Sequence, residues 1–110
     1  MYEPKADIYA ILSGIEDVTV YQNRPEVLVE FPCITFSIRN NVPNLVLEKE
    51  IGFQRIVAVI DIYAKTSKES GTLLSTLEED MREEGHVMVF NSDVPEDDVS
   101  HITTRFNLLY

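Results

Sequence analysis

The chain has 110 residues, 45% of them hydrophobic, and 19 Asp plus Glu against 9 Lys plus Arg give a formal net charge of −10. That length and composition fit one small globular domain and exclude a disordered chain. The charge argues against a protein that grips nucleic acid or an anionic membrane, and a single cysteine, Cys33, leaves no intrachain disulfide and fits a reducing compartment.

The opening "MYEPKADIYAIL" carries Glu3 and Asp7 and does not read as a signal peptide. No apolar stretch approaches the ~20 residues of a membrane span, so a soluble, intracellular protein is expected. Residues 4–13 read as a helix. Pro4 suits its first position, Ile8, Ile11, Leu12 and Ile15 share one face, and Gly14 is a stop.

"VTVYQ" (18–22) is β-branched and short, which predicts a strand. Residues 23–31, "NRPEVLVEF", open on turn residues yet alternate afterwards, and stay ambiguous. After Pro32, "CITFSIRN" sets Ile34, Phe36 and Ile38 on one side and Thr35, Ser37 and Arg39 on the other, a half-buried strand. "NNVPN" (40–44) is a turn. A second run starts at Leu45, bends or bulges at Gly52, and continues as "FQRIVAVIDIYA". There Ile56, Ala58, Ile60 and Ile62 share a face, and Val57, Val59, Asp61 and Tyr63 share the other. Both faces are largely apolar, which predicts a central strand covered on both sides.

Thr66 and Glu69 have capping-box spacing for a helix running to about Glu84, with Leu74, Leu77 and Met81 inward, Leu73 beside them, and Gly85 as the stop. "HVMVF" is a short strand. "DVSHITTRFNLLY" closes the chain as another, with Ile102, Phe106, Leu108 and Tyr110 on one side. The order α-β-β-β-α-β-β predicts an α+β fold: a mainly antiparallel sheet of four to five strands with two helices, in one domain spanning residues 1–110.

Two acidic clusters are candidate sites. Asp93, Glu96, Asp97 and Asp98 lie between the last two strands. An EF-type calcium loop needs a Gly at position 6 and an acidic residue at 12. Counting from Asp93, position 12 is Thr104; from Glu96 it is Asn107; and the loop has no glycine. A solvated hairpin loop with Pro95 and Asp turn chemistry is the simpler reading, beside an opportunistic cation site at a subunit contact. The helix tail "LEEDMREEG" crowds Glu78, Glu79, Asp80, Glu83 and Glu84 around one Arg82, against the helix dipole. It is either a solvated face or a surface kept acidic to meet a basic neighbour or repel a polyanion.

Enzyme signatures are sparse. Cys33, His86 and His101 match no zinc spacing. No serine sits in G-x-S-x-G, and the isolated glycines form no phosphate loop. Asp61 with Lys65 matches only part of a nuclease carboxylate–lysine pattern, and Glu3-Pro4-Lys5, which has the missing spacing, begins the first helix. "RPEVLVEFP" is more apolar than a loop requires and reads either as an edge strand or as a protein-binding segment.

In order and length, a helix leading into "VTVYQNRPEVLVEFPCITFSI", the "NNVPN" turn, "RIVAVIDIYAKTSKESGTLLSTLEEDMRE" and the closing "DDVSHITTRFNLLY" resemble the tail terminator (tail completion, or tail-to-head joining) proteins of long-tailed bacteriophages and prophages. The likeness spans nearly the whole chain and includes no catalytic fingerprint. It implies a structural virion assembly protein, without enzymatic activity, cofactor or metal. Such proteins form a ring, typically hexameric, that caps the tail tube, ends its polymerisation and joins it to the head–tail connector. DNA passes through the lumen without specific binding. The implied partners are further copies of the chain, the tail tube protein and the connector; the implied places are the host cytoplasm during assembly and then the virion tail or neck.

On this reading subunit or partner contacts are expected at Arg24, Val27, Leu28, Val29 and Phe31 and at Asn41, Val42 and Leu45. An electrostatic lining is expected from Glu78, Glu79, Glu83 and Glu84, or from Asp93, Glu96, Asp97 and Asp98. Competing readings are a head-closure or neck adaptor, an acidic DNA-mimic inhibitor and a metal-dependent hydrolase.

Overall fold

The structure is a computed structural model that describes residues 4–23, 30–41 and 55–108. Helix α1 (Pro4–Ser13) is followed by strands β1 (Thr19–Gln22), β2 (Cys33–Asn41) and β3 (Arg55–Ala64), then by helix α2 (Ser67–Glu83) and strands β4 (Val87–Val94) and β5 (Ser100–Leu108). The five strands form one sheet in the order β1-β2-β3-β5-β4. Every pairing is antiparallel except β1 with β2, which is parallel. This is the expected α+β architecture with the expected order of elements.

Alternation along β3 organises the interior. Ala58, Ile60 and Ile62 point to one face and are fully buried. The register places Phe36 and Thr104 on either side of Ile60, and Ile34 and Ile102 on either side of Ile62. Ile8, Leu12 and Ile15 near α1 and Leu73, Leu77 and Met81 of α2 join the same cluster. Both helices therefore pack on one face. The expectation that β3 is covered on both sides holds in part: on the second face Tyr63 is buried, whereas Val57, Val59 and Asp61 are half-buried. The apolar character of Val57 and Val59 fits sheet propensity and partial burial.

Thr104 lies on the core side, fully buried, and its hydroxyl donates to the Ile60 carbonyl at 2.7 Å. That bond satisfies a polar atom within an otherwise apolar row. On α2 the inward positions are Ser70, Leu73, Leu77 and Met81; Leu77 and Met81 are inward as expected, while Leu73 takes the central place and Leu74 is half-buried at the margin. The Ser70 and Ser100 hydroxyls stand 2.7 Å apart and tie the start of α2 to the start of β5.

Both ends of α2 close as the sequence suggests. The Thr66 side chain accepts from the Glu69 amide at 3.1 Å, while the Glu69 carboxylate accepts from the Lys65 amide, one residue before the usual capping-box donor. At the other end the Gly85 amide donates to the Arg82 carbonyl and the His86 amide to the Met81 carbonyl. This pair of bonds is a Schellman closure, and Gly85 supplies its left-handed residue at φ 87°.

Strand β4 reaches Val94, beyond the expected "HVMVF", because pairing with β5 resumes after a bulge between Met88 and Phe90. The turn expected over 40–44 is corrected at its start, because Asn40 and Asn41 pair with Ile56 and Arg55 and belong to β2; residues 42–44, a run from Leu45 and a Gly52 bulge lie outside the described residues. No described helix is long and apolar enough to cross a membrane.

A Cβ added at Gly85 would meet nothing within 4 Å, so the cost of a side chain there comes from the backbone alone. Gly85→Ala is expected to lower unfolding free energy by about 1 kcal/mol, and Gly85→Asn by less, as measured by urea denaturation.

Candidate functional site

The second face of the sheet carries the densest polar chemistry. By register, Cys33, Tyr63 and His101 lie abreast on β2, β3 and β5, and Thr35, Asp61 and Thr103 form the next row. Cys33, Thr35, Tyr63 and His101 are buried. The first half of β2 is thus more enclosed than a half-buried strand, because its outer row lies beside the large Tyr63 side chain.

His101 is the centre of this face. Its ring stacks on Tyr63, with centroids 4.2 Å apart and planes at 27°. Its Nδ1 is hydrogen-bonded to the Glu96 carboxylate, which reaches in from the loop between β4 and β5. Its Nε2 faces Asp61 Oδ2 at 3.7 Å. Among the described residues, His101 Nε2 and Asp61 Oδ1 are buried without a hydrogen-bond partner. The result is a carboxylate–imidazole–carboxylate line joining loop, β5 and β3. No described hydroxyl or thiol hydrogen-bonds to Nε2, so the nucleophile–base pairing of a hydrolytic triad is missing from the described residues.

The acidic loop therefore divides. Asp93 belongs to β4 and is exposed; Asp97 and Asp98 are exposed at the turn; Glu96 is half-buried on His101. Asp98 adopts φ 64°, a left-handed conformation that Asp tolerates better than most residues, which gives it a backbone role. Sequence spacing gave no warning of the Glu96–His101–Asp61 line. The available signal was a histidine at an outward-facing position of a strand three residues after an acidic turn.

The α2 tail is a separate patch. Glu78, Glu79, Glu83 and Glu84 are exposed, and Glu78 meets Arg82 at 3.7 Å, one turn away on the helix. That pair is open to water and contributes little. The two acidic patches sit at opposite ends of β4, whose eight residues span about 26 Å. Where α2 ends, Asp7, Ala10 and Ile11 of α1 face Glu84 and His86 across a cleft of about 490 Å³. Burial pushes the His86 pKa below its usual 6.5, and the nearby Glu84 and Asp7 carboxylates only partly offset this.

Cys33, His86 and His101 do not converge: no group of three or more His, Cys, Asp or Glu suited to a metal ion forms among the described residues. Asp61 turns to His101, whereas the Lys65 ammonium sits over the Phe31 ring at 4.8 Å, so the partial nuclease pattern is not assembled. Of the expected contact residues, Arg24, Val27, Leu28, Val29, Val42 and Leu45 lie outside the described residues. Asn41 ends β2, and Phe31 is half-buried under Lys65.

An apolar surface that the sequence reading missed lies on β4, which among the described residues pairs with β5 alone. Val87, Val89 and Phe90 are each roughly half exposed, at 49%, 52% and 45%. The Arg105 guanidinium lies 5.2 Å from the Phe90 ring centre, a cation–π contact that partly shields it.

No protein-family model matches the chain, and no curated protein is significantly similar to it in sequence.

Replacing His101 by Ala would leave two inward carboxylates facing a void under Tyr63. A loss of about 2–4 kcal/mol is expected from unpaired polar groups plus the cavity, read by chemical denaturation. His86 gives a pH test. The folded state resists protonating this ring, so the unfolded chain takes up the proton first as pH falls below 6.5. Its stability contribution is present above that pH and is lost as pH drops toward the lower folded value. The difference in melting temperature between wild type and His86→Gln should therefore move against wild type between pH 7 and pH 5. Differencing the two proteins cancels the acid relief of the overall negative charge.

Proposed function

We propose that the chain is a structural virion assembly protein that associates into a ring, caps a phage tail tube and links it to the head connector. The observation that carries this reading is the apolar strip on β4, the edge strand of the sheet among the described residues, flanked at both ends by carboxylates. Val87, Val89 and Phe90 are unfavourable while they face water, and that cost is relieved when another protein surface covers them. An edge strand also offers unpaired backbone groups to a neighbour. A head-to-tail contact of this kind closes into a ring when the rotation per subunit divides a full turn.

The charge distribution supports the same reading. Asp97 and Asp98 mark one end of β4; Glu79, Glu83 and Glu84 mark the other. Carboxylates facing a channel would repel the phosphate backbone of passing DNA and limit adhesion to it. Order and length of elements, which carry the resemblance to tail terminators, agree with the α+β sheet with two helices.

The test is assembly. Electron microscopy of concentrated protein at raised salt, where repulsion between subunits is screened, should show closed rings of uniform diameter. The same protein added to polymerising tail tube subunits should stop growth at the tube end. Phe90→Glu should leave the circular dichroism spectrum unchanged and yield monomers by light scattering. A wild-type protein that stays monomeric at every salt concentration and leaves tube length unchanged overturns the reading.

A further inference from the structure

We propose that Asp61 and His101 together bind a divalent transition-metal ion of the zinc or cobalt class on the second face of the sheet, with Glu96 orienting the imidazole. Nothing in this inference depends on ring formation.

The geometry around His101 Nε2 is its basis. Nε2 and Asp61 Oδ2 stand 3.7 Å apart. A charge-assisted hydrogen bond between such groups would draw them to about 2.7–2.9 Å. Two donors that share one ion, each about 2.1 Å from it, stand roughly 3.4 Å apart at the tetrahedral angle. The observed spacing is somewhat wider than that and much wider than a hydrogen bond. His101 is 8% exposed, its Nε2 is aimed at the carboxylate, and neither Nε2 nor Asp61 Oδ1 has a hydrogen-bond partner among the described residues. Buried polar atoms left in this way need an occupant.

The other side of the ring is prepared as metal-binding histidines commonly are. Nδ1 is hydrogen-bonded to Glu96, and in the tautomer that donates from Nδ1 the Nε2 lone pair is left toward Asp61. Stacking on Tyr63 fixes the ring plane. No described Lys or Arg forms an ion pair with Asp61 to compete with a cation.

The donor set selects the ion. One imidazole nitrogen with one carboxylate suits zinc, cobalt or nickel. Calcium and magnesium prefer oxygen-only shells of six or more ligands. No third His, Cys, Asp or Glu completes the group among the described residues. Water fills the remaining positions, entering past Asp61, whose side chain is 24% exposed. Two protein donors make an exchangeable site, unlike a closed structural one.

Cobalt titration of the full chain tests this, at about 0.15 M salt and with excess magnesium to mask the general negative field. One equivalent of Co²⁺ should give visible ligand-field absorption and a hyperfine-shifted imidazole proton resonance, both displaced by Zn²⁺. Glu96→Gln should weaken binding by roughly 10–100-fold, the usual worth of an outer-shell partner. Asp61→Asn should weaken it at least as much, and His101→Gln should abolish it. The exposed pair Glu79→Gln with Glu83→Gln should change nothing. Wild-type protein that gives no shifted imidazole signal at millimolar Co²⁺ overturns the proposal. So does cobalt binding that survives Asp61→Asn unchanged or that magnesium displaces. If His101→Gln does not fold, the wild-type resonance and the Asp61 and Glu96 variants decide the matter.

Discussion

Burial of Ile60 and Ile62 at the middle of β3 is the constraint to which the other elements conform. Each is fully buried, flanked across the ladders by Phe36 and Thr104 or by Ile34 and Ile102, and roofed by residues from both helices. Apolar area removed from water is the main favourable term in folding. A strand with two partners and a helical cover can remove nearly all of it on one face. The Thr104 hydroxyl within that layer is tolerated because the Ile60 carbonyl accepts its proton.

Among the described residues the two helices share one face, and the opposite face is filled differently. With both helices engaged in a single cluster, β3 presents Val57, Val59 and Asp61 half-buried and Tyr63 buried. Polar groups accumulate there, and His101 becomes the point where a loop carboxylate and a strand carboxylate meet. A carboxylate–imidazole–carboxylate line in a partly dry setting is electrostatically sensitive: removing one member leaves the others poorly solvated. The Glu96 contact also holds the turn between β4 and β5 against the sheet, which links local chemistry to the shape of that end of the molecule.

Charge and apolar exposure are arranged along β4. Its middle shows Val89 and Phe90 and its two ends show carboxylates. Repulsion between copies is long-ranged and screened by salt, whereas burial of the strip acts only at contact and is not screened. Association through β4 would thus be conditional on ionic strength or on a partner that neutralises the ends. The bulge after Met88 twists this edge and limits indiscriminate pairing.

The sequence by itself determined the helices, the strand order along the chain and the α+β class. These depend on local signals: the 3.6-residue stripe through Ile8 and Leu12, the Thr66 cap, the Gly85 stop and the alternation along residues 56–63. It also separated the acidic helix tail from the acidic loop. Tertiary structure alone decided that both helices take the same face, that β1 runs parallel to β2, that the α2 stripe includes Ser70 and buries Leu73 more than Leu74, and that, among the described residues, β4 forms an edge with Val87, Val89 and Phe90 outward. It also brought Glu96, His101 and Asp61 together, which required β3 and β5 to pair in one register across about 40 residues of chain. Periodicity reports which side of an element is apolar; what that side meets is settled by long-range packing that no local window contains.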